Sequence, residues 1–121
     1  MIKLSVFLTR RPGISHQEFI SYWTNEHVRL LCSLKEFTSV VRRYTQLHPV
    51  DASEGVPEAP YDGIAELWLD DRDSVERAFR QEKCATVVAA DEERFLDRAK
   101  TTMLITEIKQ IIRMNDPGRP G

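Results

Sequence analysis

The sequence predicts an α+β domain, because hydrophobic residues recur along it with two different periods. Stretches in which they alternate with polar residues are interleaved with stretches in which they recur every three or four positions, the spacings of strands and helices respectively. The predicted order is strand, helix, strand, strand, helical segment, strand. This is the split βαβ order of a ferredoxin-like subunit, in which a four-stranded antiparallel sheet carries helices on one face.

The first strand and the first helix have the clearest patterns. Apolar residues alternate along the first strand at Ile2, Leu4, Val6 and Leu8. Ser15, followed three residues later by Glu18, forms a capping box that marks the start of a helix running to about Leu34. One face of that helix is occupied by Phe19, Ile20, Trp23, His27, Leu30, Leu31 and Leu34. His27 is the only polar member of this stripe, which makes it the first candidate for chemistry.

The remaining elements follow from β-branched and aromatic runs and from turn residues. Further strands are predicted over residues 40–48, 61–69 and 103–112, and helical segments after Asp70 or Asp71 and over residues 84–98. Residues 49–60 contain three prolines and a glycine, which predicts an exposed loop of the length that often forms a lid.

The chain length predicts one domain with one core, which we assign to residues 1–113. Two prolines and two glycines lie among residues 115–121, so the tail over residues 114–121 is expected to be disordered.

Composition excludes several classes of partner. A formal net charge of −2 with 30% charged residues lacks the basic patch of a nucleic-acid-binding protein. No apolar run approaches the ~18 residues of a membrane span, and the N-terminus lacks a signal-peptide pattern. Cys32 and Cys84 are too few for a disulfide scaffold and lie beside apolar neighbours, so we expect buried, reduced thiols and a cytoplasmic location.

Metal and cofactor motifs are missing from the sequence. The three histidines show no HxH or HExxH spacing, and the five glycines form neither GxGxxG nor GxxxxGK[ST]. We therefore expect no metal and no cofactor.

Helices on one face of a four-stranded sheet leave the other face uncovered. A second copy packed sheet to sheet across a twofold axis would cover both exposed faces. The sequence thus predicts a homodimer through the sheet faces.

Three motifs resemble those of the EthD family. They are Phe19-x-x-Tyr22-Trp23-x-x-Glu26-His27 in the first helix, Tyr61-Asp62-Gly63-Ile64-Ala65-Glu66-Leu67-Trp68 in the third strand, and Asp91-x-x-x-Phe95-x-Asp97 in the later helical segment. They recur in that order with the same spacing, and the resemblance spans residues 3–112. It implies a dimeric α+β barrel with a pocket in each subunit between the helices and the sheet.

The resemblance implies a range of activities. Relatives of this fold group include cofactor-independent monooxygenases for aromatic compounds, muconolactone isomerases, and polyketide cyclases or dehydratases that use a histidine as acid or base. The family that gives EthD its name is associated with bacterial ether degradation in an accessory role. Fold alone does not select among these functions.

His27 has two interpretations. One is a structural core histidine whose nitrogens are satisfied by neighbouring groups, and the other is a proton-transfer group in the pocket, which the match to the family's first-helix histidine favours. Histidine can both take and give a proton near neutral pH, as enolisation, lactone isomerisation or cyclisation requires.

Two carboxylates are candidates to orient His27. Asp91 lies in an apolar stripe and needs a partner, and the alternative to orienting His27 is a role as a helix cap or a pair with an arginine such as Arg43. Glu66 shares a strand face with Trp68, and its alternative is a surface position.

An aromatic wall for a hydrophobic ligand is the last site feature. Its candidates are Trp23, Tyr44, Trp68 and Phe95, and the alternative is that they belong to the ordinary core. His48, next to the predicted loop, is a minor second candidate. His16, beside the helix cap, is assigned no role.

Three functions remain open at this point. The first is cofactor-independent acid/base chemistry on a hydrophobic oxygenated substrate, with His27 as the catalytic group. The second is a non-catalytic accessory or ligand-binding protein of ether or xenobiotic degradation. The third is a cofactor-free monooxygenase acting on aromatic compounds.

Overall fold

Four antiparallel strands form one sheet in this computed structural model, which describes residues 1–51 and 54–114. The strands are β1 (Ile2–Leu8), β2 (Arg43–Leu47), β3 (Gly63–Leu69) and β4 (Thr102–Glu107). Their order across the sheet is β2-β3-β1-β4, which is the split βαβ topology and confirms the predicted fold class. The predicted disordered tail lies outside the described residues from position 115 onward.

The helices form two groups along the chain, one between β1 and β2 and the other between β3 and β4. The first group is α1 (His16–Tyr22), a first π-helical turn (Trp23–His27), α2 (Val28–Ser33) and the short α3 (Lys35–Thr38). The second group is α4 (Arg72–Phe79), a second π-helical turn (Cys84–Val88) and the short α5 (Ala89–Glu92). Within the described residues, no helix combines the length and apolar character needed to cross a bilayer.

The predicted helix caps are present. The Ser15 hydroxyl accepts the Glu18 backbone N–H at 3.0 Å, and the Glu18 carboxylate accepts the Ser15 N–H at 3.4 Å. Asp71, rather than Asp70, caps α4 by accepting the Ser74 N–H at 2.8 Å. Asp70 instead pairs with Arg42 at 2.7 Å.

The core lies between the helices and one face of the sheet. Alternate residues of β3 point into it, and Ala65, Leu67 and Leu69 are all buried. The buried core consists of Leu4, Leu8, Phe19, Trp23, Leu31, Leu34, Phe37, Ala65, Leu67, Leu69, Ala78, Val88, Phe95 and Leu96. The core therefore joins β1 and β3, the two central strands, to both helical groups.

Two strand bounds and the burial of one cysteine differ from what the sequence predicts. The strand β2 begins at Arg43 instead of residue 40, because the N–H groups of Val40 and Val41 bond to the Phe37 carbonyl in the turn that ends α3. The strand β4 ends at Glu107, opposite Ile2, where its antiparallel partner β1 begins. Cys32 is exposed rather than buried, because the buried face of α2 passes through its neighbour Leu31.

Candidate functional site

His27 lies at the end of the first π-helical turn, on the side that faces the sheet. It is 7% exposed, and its ring centroid lies 4.8 Å from that of Phe95. The predicted stripe of the first helix thus places the imidazole inside the protein, where a polar group needs a hydrogen-bond partner.

Asp91 on α5 is that partner. Its Oδ2 lies 2.8 Å from His27 Nδ1, and its Oδ1 accepts a 2.6 Å hydrogen bond from the Tyr22 hydroxyl. Of the two carboxylates considered from the sequence, Asp91 rather than Glu66 contacts His27, and its partners are Tyr22 and His27 rather than Arg43. One carboxylate therefore links α5 to both ends of the first π-helical turn.

Burial decides the charge of the imidazole. Desolvation lowers the pKa of His27 below its ordinary 6.5, and the Asp91 carboxylate offsets only part of this effect. A carboxylate can only accept, so Nδ1 carries the proton and Nε2 keeps the lone pair. Nε2 makes no hydrogen bond to any part of the chain that the structure describes. The site thus presents a neutral imidazole with a free basic nitrogen.

Tyr22 is held in its protonated form. Its burial and its hydrogen bond to Asp91 raise the pKa of the phenol to about 12. The hydroxyl is therefore a donor to Asp91 throughout the neutral pH range.

A cavity of about 50 Å³ lies beside His27, between the helices and the sheet. Its walls combine aliphatic and aromatic side chains and include three of the predicted aromatic residues, Trp23, Tyr44 and Phe95. The Tyr44 hydroxyl accepts a 3.1 Å hydrogen bond from Gln46 Nε2, and burial raises the pKa of Tyr44. The structure thus brings Trp23, Tyr44, Phe95 and Asp91 together around His27.

Glu92 is a second acidic group at this cavity, and the sequence analysis did not identify it. Its side chain lines the cavity wall and is 28% exposed, with its Oε1 3.9 Å from Arg98 Nε. Burial raises the pKa of Glu92 above its ordinary value. A carboxyl group and a neutral imidazole therefore border the same apolar space.

Glu66 and Trp68 do not belong to the site, contrary to the expectation from the sequence. Both lie on the face of the sheet that points away from the helices, because Ala65, Leu67 and Leu69 take the alternate, buried positions of β3. Glu66 forms a 2.7 Å ion pair with Lys3 on the adjacent strand.

The loop predicted over residues 49–60 borders a different space. Its described residues line a cleft of about 590 Å³ together with His16, His48 and Asp62, and none of them lines the cavity at His27. Trp23 separates the two spaces, since it lines the cavity and its indole contacts the His48 ring at a centroid distance of 5.0 Å. The described part of the loop, residues 49–51 and 54–60, therefore does not cover His27.

Tyr22 and Glu92 were not predicted from the sequence to belong to the site, for different reasons. Tyr22 stands inside the first-helix motif but five positions before His27, which in an α-helix places it about 140° away around the axis. The π-helical turn reduces this angular separation between the two side chains. Glu92 follows Asp91 directly, and the sequence offered no reason to turn both acidic side chains toward the first helix.

The fold and the site define a ferredoxin-like α+β protein that holds a histidine–aspartate pair beside a small apolar cavity. A profile of the EthD domain matches residues 11–99, which include Tyr22, His27, Asp91 and Glu92. The chain belongs to the EthD family.

Solved structures agree with this assignment of the fold. An EthD family protein from Bacillus halodurans superposes with a TM-score of 0.68 and 22% identity, over 90% of this chain and 99% of that one. A dimeric ferredoxin-like protein of unknown function from Thermobifida fusca gives 0.60 and 14%, over 88% and 90%. SnoaB, a cofactor-independent oxygenase from Streptomyces nogalater, gives 0.62 and 13%, over 93% and 97%. No curated protein matches the sequence significantly.

Proposed function

We propose that this protein catalyses cofactor-independent proton transfer on a hydrophobic oxygenated molecule, with His27 as the general base. The observation that carries the proposal is the 2.8 Å contact between His27 Nδ1 and Asp91, beside the apolar cavity. It fixes the tautomer that leaves Nε2 free to accept a proton, as the oriented histidines of other acid/base sites do.

The expected substrates are enolisable carbonyl compounds. His27 Nε2 would remove a proton from the carbon next to the carbonyl, and Glu92, which burial keeps protonated to higher pH, would supply a proton to the carbonyl oxygen. The enol formed in this way can be reprotonated at another carbon, which is an isomerisation, or can attack a second carbonyl, which is a cyclisation. Two titratable groups with pKa values shifted by their surroundings suit such paired steps.

The cavity must widen when a substrate binds. At about 50 Å³ it is well below the ~300–1,000 Å³ of typical ligand pockets. Glu92 is a charged, partly exposed residue of its wall, so we place the entrance beside it.

Incorporation of deuterium from D₂O into a panel of aromatic and alicyclic ketones, such as 2-tetralone, tests the proposal. His27→Gln is expected to lower the exchange rate at least about 100-fold, the usual contribution of a general base. Glu92→Gln is expected to lower it about 10-fold or more. His16→Gln is the matched control, because His16 also pairs with an aspartate but lines the other space, and its exchange rate should equal that of the wild type.

Equal rates in the wild type and His27→Gln would contradict the proposal. If the wild type exchanges no ketone and His27→Gln changes only ligand binding, the accessory role in ether or xenobiotic degradation replaces it.

Oxygenase chemistry is a second candidate, supported by the similarity to SnoaB. The same base could deprotonate an electron-rich phenol, and the resulting anion can donate electrons to O₂. Oxygen uptake with a dihydroxynaphthalene, abolished in His27→Gln, would support it. A flat oxygen-electrode trace would exclude it.

We also propose that two copies associate through the outer faces of their sheets, as the description of the Thermobifida fusca relative as dimeric suggests. That face carries Phe7, Ile64 and Leu104 beside the Lys3–Glu66 pair. Sedimentation should give twice the chain mass of 14.0 kDa, and a single-chain mass would contradict the dimer.

The cytoplasm is the compartment we propose. Cys32 is an exposed free thiol, a state that reducing compartments preserve.

A further inference from the structure

The first π-helical turn brings together two residues that an α-helix would separate. Tyr22 and His27 are five positions apart, which corresponds to about 140° around an α-helix with 3.6 residues per turn. Over the π-helical Trp23–His27, hydrogen bonds span five residues instead of four, so the backbone turns less per residue and positions five apart lie much nearer to one face. Tyr22 and His27 both pack on Phe95, with ring centroids 5.2 Å and 4.8 Å away.

Because they lie near one face of the helix, both side chains reach one carboxylate. Asp91 accepts from Tyr22 through Oδ1 at 2.6 Å and from His27 through Oδ2 at 2.8 Å. The negative charge of the carboxylate is then shared between two donors. A hydrogen bond from the phenol stabilises that charge and weakens the attraction that Asp91 exerts on a protonated imidazole.

We propose that Tyr22 is a positioning residue which, through the π-helical turn and Asp91, keeps His27 neutral and its Nε2 available to the cavity. This inference rests on the proposed role of His27 as a base, and it adds a part that neither the family assignment nor the related structures supply. Tyr22 itself does not line the cavity, so it acts through Asp91 and not on a substrate.

The other charged and titratable groups near His27 lie on two sides of it. Glu92 on α5 and Tyr44 on β2 border the same cavity. On the far side, Tyr22 and Asp91 line an open groove whose charged residues are Glu26, Arg29 and Arg94. In the described part of the chain, Asp91 alone among these groups is hydrogen-bonded to His27, so a change at Tyr22 reaches the imidazole by that route.

NMR titration of the His27 ring protons in the substrate-free protein tests the inference. Tyr22→Phe keeps the ring that packs on Phe95 and removes only the hydroxyl, so we expect the pKa of His27 to rise by about 0.5–1 unit. Tyr44→Phe is the matched control, because it removes a hydroxyl bonded to Gln46 from the same cavity. It should leave the pKa of His27 within about 0.2 units of the wild type.

A second substitution keeps the test decisive if Tyr22→Phe does not fold. Replacing Tyr22 with 3-fluorotyrosine gives a more acidic phenol and a stronger donor in nearly the same volume, so the pKa of His27 should fall. An unchanged pKa in either variant, or a change of the opposite sign, would overturn the inference. Because no substrate is present, this result is independent of the ketone exchange experiment. If the Tyr22 variants show the expected changes in the pKa of His27 but the wild type exchanges no ketone, only the proposed reaction is contradicted.

Discussion

Two histidine–aspartate pairs in this protein have nearly the same contact distance and very different surroundings. His27 Nδ1 lies 2.8 Å from Asp91, and His16 Nδ1 lies 3.0 Å from Asp62. The side chains of the first pair are 9% and 14% exposed, whereas those of the second are 42% and 19% exposed. The other aspartate contacts also differ, since Asp62 accepts the exposed backbone N–H of Arg10.

A histidine–aspartate contact does not by itself make a site. Water can replace either partner in the exposed pair, so this contact contributes little to the free energy of folding. In the enclosed pair the imidazole has no such replacement, and burial together with one shared carboxylate determines its protonation. A histidine beside an aspartate is therefore informative here because of the cavity that it borders.

Removing each aspartate should give the largest contrast in stability. Asp91→Ala leaves the Tyr22 hydroxyl and the buried His27 Nδ1–H without their acceptor, at a cost of about 3 kcal/mol in the free energy of unfolding. Asp62→Ala exposes its partners to solvent, which satisfies them, and should cost about 1 kcal/mol or less. Urea denaturation of both variants measures the difference, and equal losses would show that the two pairs contribute alike.

A smaller effect is expected at the wall between the two pairs. A Cβ added at Gly63 would lie 2.6 Å from Trp23 Cζ3 and 2.9 Å from its Cη2, and Trp23 is 1% exposed. Gly63→Ala should therefore destabilise the protein by about 2 kcal/mol through overpacking.

The shorter ring of Trp23→Phe supplies the control, because it removes both clashing atoms. Gly63→Ala should cost less in the Trp23→Phe background than in the wild type, with a coupling of about 1 kcal/mol in a double-mutant cycle. Additive losses would mean that the indole can move aside, and that the wall between the cavity and the loop cleft is soft.

Much of the fold could be predicted because it depends on local patterns. The alternation at Leu4 and Leu8, and the Ser15–Glu18 capping box, specify a strand and a helix start from a few residues. The end of β4 could not be predicted, because it is set by where its antiparallel partner β1 begins and not by residues 108–112, which remain apolar enough for a strand.

The site was predictable in part for the same reason. His27 and Asp91 were conspicuous as polar residues in apolar stripes, but the contact between them spans 64 positions and depends on packing. Glu66 was misplaced because a strand's period of two does not say which face meets the helices. Tyr22 was missed because helical spacing assumes 3.6 residues per turn, and the π-helical turn breaks that assumption where the site lies.

The smallest expected effect is the pH dependence of folding, and it separates the two histidines without any substrate. Burial lowers the pKa of His27 in the folded state below its ordinary 6.5, so on acidification the unfolded chain takes up this proton first. The stability that neutral His27 contributes is therefore complete above about pH 6.5 and is lost as the pH falls through the lower, folded-state pKa.

Urea denaturation at about pH 7.5 and about pH 5 should show a smaller loss in His27→Gln than in the wild type. His16→Gln keeps the buried His27 and should therefore lose as much as the wild type. If His27→Gln and the wild type lose the same free energy, the enclosed imidazole gains its proton as easily as a solvated one, and the distinction between the two pairs fails.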